Sequence, residues 1–190
     1  AMILSDGMLG QMMEPVVFDD NKTPRTFDKS WATNGHGGKR PHNIINSLYL
    51  KPDKLEQIVK DRFQRYETIK EKECRWDEYQ TEDADYIVVA YGATSRIAKS
   101  AVKTARSQGI KVGLIRPITL WPFPTKVIRE YADKLKGFLC VEMSMGQMVD
   151  DVRLAADGRC PVSFYGRTGG MIPSPKEVLD EIVKMTGGAK

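Results

Sequence analysis

The sequence predicts an α/β protein: an open, mainly parallel sheet with helices on both faces, preceded by a long linker and a long charged helix. Short apolar runs rich in β-branched residues recur at 86–91, 112–115, 138–141 and 162–165, the pattern of strands covered on both faces. Between them, apolar residues recur at helical spacing. Four strands thus alternate with four helices, and that alternation demands helices layered on a parallel sheet.

Residues 2–5 read as the end of a strand, followed by Asp6-Gly7 and a Met-rich helical turn (Met8, Leu9, Met12, Met13) that stops before Pro15. A domain seldom opens in mid-strand, so the chain is expected to be a piece of a longer protein. Residues 15–52 are rich in Pro, Gly, Asn, Asp and Lys and hold no period, the mark of a binding or contact loop or of a disordered linker. From Asp53 the text changes. Asp53 with Glu56 fits an acidic capping box, and Leu55, Ile58, Val59, Phe63, Tyr66 and Ile69 keep a helical period along a highly charged helix. A single narrow apolar stripe suits a strut between domains or subunits, or a plain surface helix. Residues 74–84 then link to the first strand.

Gly92 ends that strand, and Thr94 or Ser95 is placed to cap a helix whose stripe is Ile97, Ala98, Ala101, Val102 and Ala105. Gly109 is placed to terminate it in a left-handed conformation. The strand at 112–115 follows, then helices with Val127, Ile128, Tyr131, Ala132 and Leu135, with Met148, Val149, Val152, Ala155 and Ala156, and with Val178, Leu179, Ile182 and Val183 on one face each. Right-handed crossovers predict the spatial order 2-1-3-4, counting strands from Tyr86, with functional loops at the carboxyl ends.

Of the residues, 41% are hydrophobic and 28% charged, ordinary for a globular protein. No apolar run approaches the roughly 20 residues that span a bilayer, and no signal peptide is visible; a cytoplasmic protein without a membrane partner is expected. The net charge of +4 is spread over alternating signs, which argues against a nucleic-acid partner. Cys74, Cys140 and Cys160 form no CxxC, so they are expected to be reduced thiols without metal or cluster.

The carboxyl-edge loops carry the candidate chemistry. Arg116, Glu142 and Arg167 are expected to converge on one rim, holding a carboxylate or phosphate, pairing with a neighbouring subunit, or forming plain salt bridges. Arg116 enters Pro117, which keeps its backbone extended and offers its guanidinium as a bidentate fork. Phosphate cradles are weakly marked: the turn at 92–95 lacks both GxGxxG and GxxxxGK[ST]. Ser5-Asp6-Gly7 resembles the start of a thiamine-diphosphate motif, but the chain has no Asn-Asn pair. His36 and His42 lie in the linker without further ligands nearby in sequence, and no serine sits in a GxSxG elbow. No catalytic residue is assigned.

Four motifs carry a resemblance: SDGMLGQMMEP at 5–15, GLIRPITLWPFP at 113–124, VEMSMGQMVDDVR at 141–153 and FYGRTGG at 164–170. Together they resemble the alpha chain of 2-oxoacid:ferredoxin oxidoreductases, most closely the branched-chain 2-oxoisovalerate type, over its carboxyl-terminal half. The resemblance implies a transketolase C-terminal-like domain at 85–190, a linker segment and long helix at 15–84, and a remnant of the amino-terminal pyrimidine-binding domain at 1–14. It implies an enzyme that decarboxylates a 2-oxoacid oxidatively, reduces ferredoxin and forms an acyl-coenzyme A. Thiamine diphosphate, Mg and iron–sulfur clusters would serve the full complex, with none bound by this chain. Its partners would be the beta and other subunits, with ferredoxin and CoA reached through the complex. The chain itself would be a scaffold and subunit interface, with Arg116, Glu142, Gln147 and Arg167 as interface or pocket-rim candidates. The other reading left open is an independent nucleotide- or CoA-binding α/β domain.

Overall fold

In the computed structural model, residues 2–13, 15–18, 23 and 25–187 are described; the expectations for residues 1, 14, 19–22, 24 and 188–190 fall outside them. By contacts the chain divides into one unit of residues 1–11 and 66–190 and a second of residues 12–65.

The first unit is built on the alternation of apolar runs. Its strands are β1 (Trp76–Tyr79), β2 (Tyr86–Val89), β3 (Val112–Pro117), β4 (Gly137–Glu142) and β5 (Val162–Gly166), in the order β1-β3-β2-β4-β5. The four apolar strands run parallel in the expected order. The fifth is new: β1, within the segment expected only as a link, pairs antiparallel with β3, Asp77 opposite Arg116.

Side chains alternate across the sheet because the strand period is two. Val88, Leu114, Leu139 and Val141 pack under α3 (Gly92–Ser107) and α6 (Pro175–Met185) with Ala98, Ala101, Val102, Val178 and Ile182. Ile87, Val89, Ile115, Phe138 and Cys140 face α4 (Thr125–Ala132) and α5 (Met148–Ala156) with Ile128, Val149 and Val152. Each fully buried large side chain here contributes about 1.5–3 kcal/mol relative to exposure, so both layers are held by apolar burial. This is the predicted α/β class with helices on both faces.

Local details correct the sequence reading. Thr94 and Ser95 do not cap α3 as acceptors; their hydroxyls donate to the carbonyls of Tyr91 at 2.7 Å and Gly92 at 2.7 Å. The long helix α2 (Pro52–Glu73) opens on proline, so Asp53 lies inside its first turn rather than capping it. Gly109 has φ +84°, as a helix terminator requires. Residues 2–5 form no strand; Asp6 Oδ1 accepts from Met8 N at 3.0 Å where α1 (Gly7–Gln11) begins.

In the second unit, part of the linker folds on itself. Arg40 Nη2 donates to the Ala32 carbonyl at 3.0 Å and to Asn34 Oδ1 at 3.1 Å, and Asn43 Nδ2 donates to the Ala32 carbonyl at 3.0 Å. His36 and His42 meet edge to face, 4.3 Å between ring centroids, and His36 Nδ1 accepts from Gly38 N.

Candidate functional site

Glu142 is the last residue of β4, and its side chain is fully buried. Oε2 accepts from Ser144 Oγ at 3.0 Å, Gln147 N at 3.2 Å and Met148 N at 3.0 Å, while Oε1 accepts from Val149 N at 2.9 Å. Gln147 is the N-cap residue of α5, without a side-chain cap of its own. Glu142 does that work: it satisfies the helix's orphan amides and sets a negative charge at the positive helix end. A buried carboxylate is tolerable only when hydrogen-bonded this fully.

The loop between them turns tightly at Gly146, where φ is +105° and an added Cβ would come within 3.1 Å of Val149 Cγ1. Arg167 closes the other side. Its backbone N–H donates to the Glu142 carbonyl at 3.1 Å, and its Nη1 donates to Glu177 Oε1 at 2.8 Å. Glu177 Oε2 accepts from Ser174 N at 2.7 Å and Ser174 Oγ accepts from Glu177 N at 3.2 Å, a capping box that starts α6. The Ser174 hydrogen bonds, then that from Tyr165, hold the Glu177 carboxyl below its ordinary range.

Arg116 stands apart. Its Nη2 pairs with Asp77 Oδ2 at 2.8 Å across the β1–β3 ladder, and its Nε is buried with no hydrogen-bond partner. Of the four predicted rim residues, the structure therefore links Glu142, Gln147 and Arg167 through backbone hydrogen bonds. Arg116 is one strand further away, since β2 lies between β3 and β4. Glu142 is enclosed, so its carboxylate presents no surface to a ligand or a second chain.

Sequence reasoning missed Asp77, Ser144, Ser174 and Glu177. Ser174 and Glu177 were findable: Ser-x-x-Glu with proline at the next position is a helix-start signature. Asp77 was not, because its role depends on the β1–β3 register.

Cys140 is unsuited to ligate an iron–sulfur cluster. Burial, then the Glu142 charge, pushes the Cys140 thiol well above its ordinary value, whereas a ligand must be a thiolate. Among the described residues no group of three or more His, Cys, Asp or Glu could hold a metal ion, and no helix is long and apolar enough to cross a membrane.

An open α/β domain with its helix-starting loops at the carboxyl edge is thus the class that fold and site define. The family model for pyruvate:ferredoxin oxidoreductase core domain II matches residues 84–178, and the chain belongs to that family. Ketoisovalerate oxidoreductase subunit VorB of Methanothermobacter thermautotrophicus is 43% identical over 185 residues, 97% of this chain and 52% of that protein. 2-Oxoglutarate synthase subunit KorA of Methanothermobacter marburgensis is 39% identical over 134 residues, 70% of this chain and 36% of that protein. The chain spans about half the length of the VorB relatives it matches. Among solved structures, a 2-oxoglutarate:ferredoxin oxidoreductase from Magnetococcus marinus superposes with a TM-score of 0.64 at 19% identity, over 72% of this chain and 24% of that one. A split-gene transketolase superposes with a TM-score of 0.51 at 18% identity, over 60% and 41%. These two likenesses establish the fold: a transketolase C-terminal-like sheet.

Proposed function

We propose that this chain is the carboxyl-terminal part of the alpha subunit of a thiamine-diphosphate-dependent 2-oxoacid:ferredoxin oxidoreductase, selective for branched-chain 2-oxoacids. Its role there is scaffold and subunit interface. The observation that carries this reading is the 43% identity to a ketoisovalerate oxidoreductase subunit, sustained over 97% of the chain. The site agrees with a structural role. Glu142, Arg167 and Glu177 are spent on starting helices.

The complete enzyme, working in the cytoplasm, converts a 2-oxoacid to an acyl-CoA and delivers the electrons to ferredoxin. Bound thiamine diphosphate supplies the electron sink for decarboxylation, and it sits, with Mg and the iron–sulfur clusters, on the beta and other subunits. This chain's contribution is to hold its loops in place for those partners, with Arg116, Gln147 and Arg167 at the rim. The test is co-expression of the full-length subunit with its partners under anaerobic conditions. Dye reduction that depends on both 3-methyl-2-oxobutanoate and CoA, and exceeds that with 2-oxoglutarate, is the expected result. Failure to reduce the dye with any 2-oxoacid overturns the assignment.

A further inference from the structure

The sheet ends on two edges of different character. At one edge, β1 carries Asp77 and Glu78 within its four residues, and charged side chains on an edge strand discourage another strand from adding to it. At the other, β5 reads Val-Ser-Phe-Tyr-Gly, with no charge and no proline. It pairs with β4 in an unbroken parallel register, so no bulge turns its outer side away. The Pro161 carbonyl accepts from Phe138 N at 2.9 Å, and Arg167 N donates to the Glu142 carbonyl at 3.1 Å. In a parallel ladder alternate residues bond to the same neighbour, so Ser163 and Tyr165 are committed to β4. The N–H and C=O groups of Val162, Phe164 and Gly166 therefore point outward, and among the described residues no hydrogen bond reaches them.

We propose that this edge is where two copies of the chain pair, β5 against β5, into one continuous sheet. A two-fold axis at Phe164 sets the two strands antiparallel. Phe164 then faces the partner's Phe164, and Val162 faces the partner's Gly166. Every outward group in one copy thus meets an outward group of opposite kind in the other, since directly opposed residues in such pairs exchange both N–H···O bonds. Isologous contacts require this self-complementarity. The side chains agree with it. Ser163 falls opposite the partner's Tyr165 and the two phenylalanines oppose each other, an aromatic cross-strand pair, while no like charges meet because β5 has none. A strand with acidic residues, such as β1, would oppose its own charges in the same arrangement.

Sedimentation of the full-length protein without other subunits, over a range of concentrations, tests this. A mass rising with concentration to that of a dimer is expected. Ser163→Lys places a charge on the exposed side of β5 without touching a β4 hydrogen bond, and should weaken the dimer at least about tenfold. Val162→Pro removes an outward donor and should do the same; if circular dichroism shows that it does not fold, Ser163→Lys decides. Ser100→Lys, which adds the same charge on α3, should leave the dimer unchanged. Residue-resolved amide exchange gives a second reading: Val162, Phe164 and Gly166 should be protected in the dimer and exchange freely on dilution, while Ser163 and Tyr165 stay protected in both. A monomer at every concentration overturns the proposal, as does a dimer that Ser163→Lys leaves intact. Protection of Val162 and Phe164 in the monomer also overturns it, by showing that another segment of the same protein lies on this edge.

Discussion

Glu142 illustrates how a residue's role is set by what its atoms must satisfy. The sequence marked it as a charged residue at the end of an apolar strand, and that position was legible. What was not legible was its burial, because the turn at Gly146 brings the start of α5 back onto it. Glu142→Ala leaves the amides of Gln147, Met148 and Val149 without their acceptor in a dry site, so it should lower unfolding free energy by about 3 kcal/mol in urea titrations. A loss under 1 kcal/mol would mean the loop re-caps itself. Glu78 gives a pH-dependent counterpart. Partial burial pushes its carboxyl up, but hydrogen bonds from Tyr131, Trp76 and Thr81 outweigh that and hold it below the ordinary glutamate value. A depressed folded-state pKa contributes stability above the unfolded value and loses it as pH falls through the folded one. Tyr131→Phe removes the 2.6 Å hydrogen bond. Thermal melts should therefore show the variant less stable at pH 7, with the gap narrowing below about pH 4.

At the scale of elements, the four parallel strands were readable because each is a continuous apolar run, and β1 was not because Trp-Asp-Glu-Tyr looks like a solvated link. Its strand state comes from β3, where Gly113 lets the chain after β1 approach. A Cβ on Gly113 would meet the Gln80 carbonyl at 2.7 Å. Gly113→Ala should accordingly cost about 2 kcal/mol, and amide exchange in Trp76–Tyr79 should quicken as the edge strand detaches. An unchanged exchange pattern would show that β1 does not depend on that approach. α6 offers a second case. Its capping box satisfies two orphan donors at once, and Arg167 ties the same glutamate to the loop after β5. Ser174→Ala should cost about 1 kcal/mol, read from the urea midpoint at constant slope, while Ser174→Asp, which keeps an accepting oxygen, should recover most of it. Equal losses in both would set the capping account aside.

For the molecule as a whole, the sequence motif at 113–124 that carried the family resemblance divides in the structure into an inner and an outer half. Pro117, Pro122 and Pro124 are buried and fix the backbone, whereas Ile118, Leu120 and Trp121 stand 48%, 46% and 56% exposed within four residues. Trp121 leans on Tyr66 of α2 at 5.4 Å between ring centroids, edge to face, and so is held outward rather than collapsing onto the surface. Three large apolar side chains on a backbone fixed by proline form a surface that loses little entropy on docking. Under the proposed function, such a ridge is where a second subunit seats, since a few buried apolar and aromatic anchors dominate protein interfaces. Ile118→Asp with Leu120→Asp places charge where the partner would exclude water, yet replaces no residue of the buried core. The variant should keep its melting temperature within a few degrees and lose at least about 30-fold in affinity for the partner subunits, measured by sedimentation of the co-expressed complex. Complete assembly at wild-type concentration would place the subunit contact elsewhere on the domain and leave the ridge as exposed apolar surface alone.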